Sequence, residues 1–213
     1  MALSLFKSKK NLITLGLVVI MVLGLTALGV SKLTHKKIQK TTLKESPSKP
    51  EEVDPIKAGY VWQGEPDDPK KITITKINVD GYIQNVGIDK DNQIVAPGNI
   101  YIAGWYVNSS RPGKKGLSII DGHLNGYKHD GIFINLDKLT TGDQLDVEMG
   151  DGTKFNYKVL KVDTVDENKA EAYLFSQSPK VAKQLNLITC GGDYDKKNHL
   201  YSKRVIVSAE QIN

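Results

Sequence analysis

Seven short apolar-rich runs, each closed off by turn residues, limit what this chain can become. They are ITITKINV from Ile72, YIQNVGI from Tyr82, GLSII from Gly116, QLDVEM from Gln144, KFNYKVLKV from Lys154, LNLIT from Leu185 and RVIVSA from Arg204. Their length and their β-branched content mark them as strands. In QLDVEM, Leu145, Val147 and Met149 alternate with Gln144, Asp146 and Glu148, so that strand buries one face. Gly150-Asp151-Gly152 then turns the chain into a partner strand carrying Phe155, Tyr157 and Val159. Helical pattern is limited to ENKAEAYLF from Glu167, PKVAKQL from Pro179 and a short piece of GIFINLDKL from Gly131. Seven or more short strands with so few helices predict an all-β domain that closes, or nearly closes, into a barrel.

Charge divides the chain unevenly. The net charge of +5 arises from residues 1 to 50, which hold nine lysines against one acid, whereas residues 51 to 213 hold 20 basic and 23 acidic residues. The folded part therefore has no basic stripe of the kind that neutralises nucleic-acid phosphates. Residues 11–31, NLITLGLVVIMVLGLTALGVS, contain no charge, and at about 1.5 Å per residue a helix of that length crosses a hydrocarbon core of about 30 Å. The run exceeds the apolar region of a cleavable signal peptide, about 7–15 residues, so a transmembrane signal anchor is expected, although Ala27-Leu28-Gly29 leaves cleavage open. The expected organisation is a cytoplasmic tail at 1–10, the anchor at 11–31, an extended charged linker at 32–57 and a folded domain at 58–213 outside the membrane. The domain is placed outside because only ten residues precede the span.

An exported domain with a single cysteine forms no internal disulfide, and Cys190 is the only cysteine here. It closes the run LNLIT and is followed by Gly191-Gly192, at a strand end where functional groups often sit. A nucleophilic thiol needs a base to take its proton and return it to a leaving amine. Of the four histidines, His35 lies in the linker and His129 and His199 lie in polar loops, while His123 follows the run LSII and so also sits just past a strand end. Arg204 opens the last strand in a chain with 27 lysines and two arginines; the planar guanidinium in place of the habitual lysine implies a geometric requirement, such as holding an oxyanion. A hairpin folded evenly about residues 191–200 predicts Cys190 opposite Tyr201, with Arg204 three residues farther on. Arg111, in SSRPG, reads as a turn residue. His123, His129, His199 and Cys190 lack the paired short spacing of usual zinc sites, and nothing in the chain calls for a metal or a cofactor.

The segments DGHLNGY, GIFINLDKLTTGDQLDVEMGDG and LITCGGDYD, the last followed by an arginine-led strand, resemble the sortases, cysteine transpeptidases of the Gram-positive cell surface. The resemblance runs from about Ile72 to Ile212. The Gly-Gly after the cysteine and GWYVNSSRPGKKG before the histidine are most similar to the group called class F. The family implies a closed eight-stranded β-barrel with its site in a surface groove. It implies Cys190 as nucleophile, His123 as general acid and base, and Arg204 as the oxyanion or substrate stabiliser. The implied substrate is a protein with an LPxTG-type sorting signal, cut between Thr and Gly and passed as a thioester to an amine such as lipid II or a peptidoglycan cross-bridge. Two positions depart from the pattern: Asn186 stands where many sortases have Thr, and Asn125 where relatives often have an acid. Two other readings stay open on the residues alone, a thioester-forming hydrolase that uses water and a tethered β-barrel interaction module with an inert buried cysteine.

Overall fold

The computed structural model describes residues 49–212 apart from Asp91. The tail, the expected membrane anchor and the first part of the linker lie outside the described residues. Eight strands, β1 (Pro69–Ile74), β2 (Val79–Val86), β3 (Ala103–Tyr106), β4 (Gly116–Asp121), β5 (Gln144–Met149), β6 (Lys154–Asp166), β7 (Lys183–Asp195) and β8 (Leu200–Gln211), close into one barrel. Their order around it is β1-β2-β3-β4-β7-β8-β6-β5. Two neighbouring pairs, β2–β3 and β4–β7, run parallel, and the other pairs are antiparallel.

Side-chain alternation decides which face of each strand turns inward. Leu145, Val147 and Met149 of β5 are buried, as are Tyr157 and Val159 of β6, and Leu145 lies opposite Tyr157 and Val147 opposite Phe155. With Ile72, Ile74, Ile83, Trp105, Leu185, Leu187 and Val207 they fill the barrel. A second apolar layer lies outside it, where a short helix α1 (Ala170–Leu174), within the connection from β6 to β7, packs Ala170 and Leu174 against Ile119 and Ile206, with Ile188 alongside. Strand β7 is thus covered on both faces, which is why LNLIT is nearly continuous in apolar residues.

Three expectations are corrected by the backbone. ITITKINV is not one strand: β1 ends at Ile74, a 3₁₀ turn spans Thr75–Ile77, and Asn78 takes the left-handed conformation (φ 56°) before β2 begins. Asparagine tolerates that conformation better than other side chains. PKVAKQL is a turn leading into β7 instead of a helix, because Lys183 and Gln184 are drawn into the ladder beside Gly116 and Leu117 of β4. Strand β3 was not anticipated, since AGWY is four residues long and offers too few alternations to register as a strand. ENKAEAYLF does form a 3₁₀ turn at Glu167–Lys169 leading into α1, and GIFINLDKL keeps only a 3₁₀ turn at Leu136–Lys138.

The described end of the linker lies against the barrel. Glu51 forms a parallel bridge to Asn99, the Glu51 N–H donates to the Gly98 carbonyl (2.8 Å), and the Ile100 N–H donates to the Glu51 carbonyl (3.0 Å). The Asn99 side-chain amide donates to the Val53 carbonyl at 2.9 Å.

Candidate active site

Parallel pairing of β4 with β7 brings the C-terminal end of β4 beside the middle of β7. Asp121, the last residue of β4, is registered with Ile188, and the ladder continues one step as the Gly122 N–H donates to the Ile188 carbonyl at 3.1 Å. His123 is the second residue after Asp121, just past the end of β4, and Cys190 is the second after Ile188. On the other side of β7, Cys190 is registered with Arg204 of β8. Cys190 and Arg204 thus stand side by side on β7 and β8, and His123 lies on the segment that leaves the neighbouring strand β4.

The pairing of Cys190 with Arg204 corrects the expected register. Strands β7 and β8 continue as a ribbon to Asp195 and Leu200, with Tyr194 opposite Tyr201, and a register shift lies between Gly191 and Tyr194. The turn is displaced toward the C-terminus, and Arg204 arrives beside the thiol without crossing a gap. Gly192 sits within the shift with φ 71°, a left-handed conformation that a side chain would strain. Glycine is also needed at Gly131, where a Cβ would lie 2.3 Å from the His123 carbonyl oxygen. The chain after His123 can double back this tightly because that position has no side chain.

Each of these three residues is held by its surroundings. The His123 Nε2 lies 2.7 Å from the Pro97 carbonyl. A carbonyl only accepts, so Nε2 carries the hydrogen and Nδ1 is the nitrogen with the free lone pair in the neutral ring. The Arg204 Nη1 donates to the carbonyls of Tyr201 and Lys203, both at 2.9 Å, and Nη2 is 3.7 Å from Glu167 Oε1. Cys190 opens onto a cleft of about 180 Å³ that it lines with Leu124, Phe133, Thr189, Gly191 and Gly192. A larger cleft of about 340 Å³, between Asp54–Ile56 and the β1–β2 turn, contains none of the three residues.

Burial opposes charge on both Cys190 and His123. It pushes the Cys190 thiol up, with Arg204 pulling it back and Asp121 and Glu167 adding to the rise. It pushes the His123 imidazole down, against the hydrogen bond to Pro97. The neutral thiol and neutral imidazole are therefore the resting pair near pH 7. Asp121 is pushed up to about 8 by burial, with Arg204 acting against the rise. Asp121, Pro97 and Glu167 were not singled out from the sequence; only the position of Asp121 in DGH, two residues before the histidine, signalled it.

The two departures from the family pattern have structural roles here. Asn186 is fully buried, and its amide donates to the carbonyls of Leu174 (2.7 Å) and Ser176 (3.4 Å) while its carbonyl accepts from Gln184 (2.9 Å). It fastens the end of α1 to β7. Asn125 accepts from the Tyr201 hydroxyl at 2.7 Å and so ties the loop after His123 to β8. His199 lies 3.0 Å from the Tyr194 hydroxyl at the hairpin tip, and His129 stays in its loop. Among the described residues no group of three or more His, Cys, Asp or Glu is placed to hold a metal. Arg111 does more than turn the chain: its Nε and Nη2 both bond Asp68 Oδ1, at 3.2 and 3.1 Å, and its guanidinium lies over Trp105.

The sequence profile of the sortase domain matches residues 72–212. Among solved structures, the chain resembles the lid mutant of sortase A from Corynebacterium diphtheriae, with a TM-score of 0.53 and 21% identity over 71% of this chain and 73% of that one. It also resembles the lid mutant of Streptococcus agalactiae sortase C1, with a TM-score of 0.51 and 22% identity over 71% of this chain and 72% of that one. Comparison with curated protein sequences finds no match. The structural likenesses establish the barrel as the sortase fold. The profile, spanning well over half of the 213 residues, establishes that this chain belongs to the sortase family and is a cysteine transpeptidase.

Proposed function

We propose that Cys190 is the nucleophile, His123 the general acid and base, and Arg204 the oxyanion stabiliser of a membrane-anchored sortase acting outside the cell. The observation that carries this reading is the direct register of Cys190 with Arg204, with His123 just past the end of β4, the strand that pairs with β7 on its other side. His123 Nδ1 takes the thiol proton, and the thiolate attacks the Thr carbonyl carbon of an LPxTG-type signal. The guanidinium, fixed by two backbone carbonyls, meets the charge that develops on the carbonyl oxygen. The imidazolium gives its proton to the departing Gly amine, leaving a thioester. An acceptor amine, such as that of lipid II or a peptidoglycan cross-bridge, then attacks the thioester. It loses a proton to His123, and the thiolate recovers one as the new amide forms. The uncharged run at 11–31 supports an anchor that keeps the domain at the membrane surface, and the loops around the histidine and cysteine support placement in class F.

The test is acyl transfer from an LPxTG-type peptide to an added amine by the full chain. Transfer is expected in the wild type and absent in Cys190→Ala; equal transfer by that variant would overturn the assignment. Release of acid product in the presence of saturating amine would make water the acceptor. A thiol that labels only after denaturation would identify an inert cysteine.

A further inference from the structure

Asp121 is a charged-type side chain in a place where the mechanism above gives it nothing to do. It lies on the face of β4 that carries Ile119, part of the layer under α1, and its register partner Ile188 belongs to the same layer. Side chains two residues apart share a sheet face, so Ile188 and its partner Asp121 stand one step below Cys190. Across β4 the other register partner of Asp121 is Gly104, where an added Cβ would meet Val86 and Pro97. Pro97, whose carbonyl holds His123, thus takes the place beside Asp121 that a side chain at 104 would fill. The Asp121 Oδ1 is sealed from solvent and has no hydrogen-bond partner among the described residues. A buried polar atom of this kind costs on the order of 1–3 kcal/mol, which calls for an explanation.

Other groups around it define its electrostatic setting. β8 contributes the Arg204 guanidinium and β7 the Cys190 thiol. The connection after β6 contributes Glu167, which approaches Arg204 from the far side. The loop after β4 contributes His123, and β3 contributes only the uncharged Tyr106 to this face. Arg204 is the cation within electrostatic reach of the carboxyl, yet no hydrogen bond joins them.

We propose that Asp121 is a positioning residue whose charge state directs the Arg204 guanidinium: as the neutral acid it leaves the guanidinium to the thiolate and the oxyanion, and as the carboxylate it draws it down the sheet face and repels the thiolate. The inference rests on the assignment of Cys190 and Arg204 made above. It gives the enzyme an alkaline limit set by a residue that never touches substrate. The shift of the Asp121 carboxyl to about 8 puts that limit within the range where the thiol is only beginning to ionise.

Two measurements on the full chain, purified in detergent, test it. One is kcat/KM for transfer from an LPxTG-type peptide to an amine between pH 6 and 10. The other is the pH dependence of Cys190 alkylation by iodoacetamide, which needs no substrate. In Asp121→Asn the alkaline limb is expected to move up by about one pH unit, so that the ratio of variant to wild-type kcat/KM at pH 9 exceeds that at pH 6.5 by about fivefold. The alkylation midpoint moves down, because the thiolate no longer meets a carboxylate. Asp121→Ala serves as the second variant if the first misfolds, with the same expected directions. Unchanged limbs and unchanged midpoints in a folded variant would overturn the role of Asp121. If Cys190→Ala still transfers, the active-site assignment falls instead, and alkylation alone then decides whether Asp121 acts on the thiol.

Discussion

At the scale of single residues, burial at this site has consequences for pH as well as for chemistry. Asp121 is held near 8 in the folded chain, against about 3.9 for a free aspartate. The native state therefore keeps a proton that the unfolded chain has lost, and stability falls as pH rises from about 4 toward about 8, by at most about 1.4 kcal/mol per pH unit. Asp121→Asn is expected to remove that slope: urea midpoints of wild type and variant converge near pH 4 and diverge, in favour of the variant, by pH 8. Arg204→Lys is expected to lower kcat/KM by roughly 10²-fold, because an ammonium cannot hold two backbone carbonyls and still present a planar edge to an oxyanion. Steady-state kinetics at saturating amine checks it. Cys190, His123 and Arg204 were legible in the sequence because each borders a recognisable apolar run, and because arginine is so rare in this chain, although β7 and β8 extend past Cys190 and Arg204 to Asp195 and Leu200. Asp121 was not, since its burial comes from the Pro97 segment and from the bare backbone of Gly104, neither of them local to it.

At the scale of elements, what matters is how strands and their covers are fastened. The β5–β6 hairpin could be read directly, since alternation and a Gly-Asp-Gly turn agree. The register of β7 against β8 could not, because a local shift after Gly191 depends on backbone geometry that residue types do not encode. Helix α1 has only five residues, too short to stand alone, and is retained through its apolar contacts and through Asn186. Asn186→Leu is expected to cost about 1–3 kcal/mol by leaving the Leu174 and Gln184 polar groups without their partner. Thermal unfolding would show it, and amide exchange would be fastest in residues 170–178. A neutral effect on both would mean that the apolar layer alone holds the helix.

At the scale of the whole molecule, the described end of the linker belongs with the barrel. Glu51 and Val53 bond the segment 98–100, which continues into the Pro97 carbonyl that fixes His123. A chain beginning at Ala58 is expected to melt roughly 5–10 °C below one beginning at Lys49, for the loss of the hydrogen bonds that Glu51, Glu52 and Val53 make to residues 98–100 and 127–128. Its kcat/KM should fall more than its KM rises, since the imidazole loses its second support. Composition alone labels these residues as a tether, because their partners are backbone groups that no sequence pattern reveals. The parallel pairing of β4 with β7 has a broader meaning. Two segments that travel the same way need no turn between them, so the connection from β6 to β7 beyond Glu167, residues 168–182, can lengthen, shorten or change its covering helix without moving the strands that carry the imidazole and the thiol. The barrel frame and the cover over β7 are in this sense separately adjustable parts of one molecule.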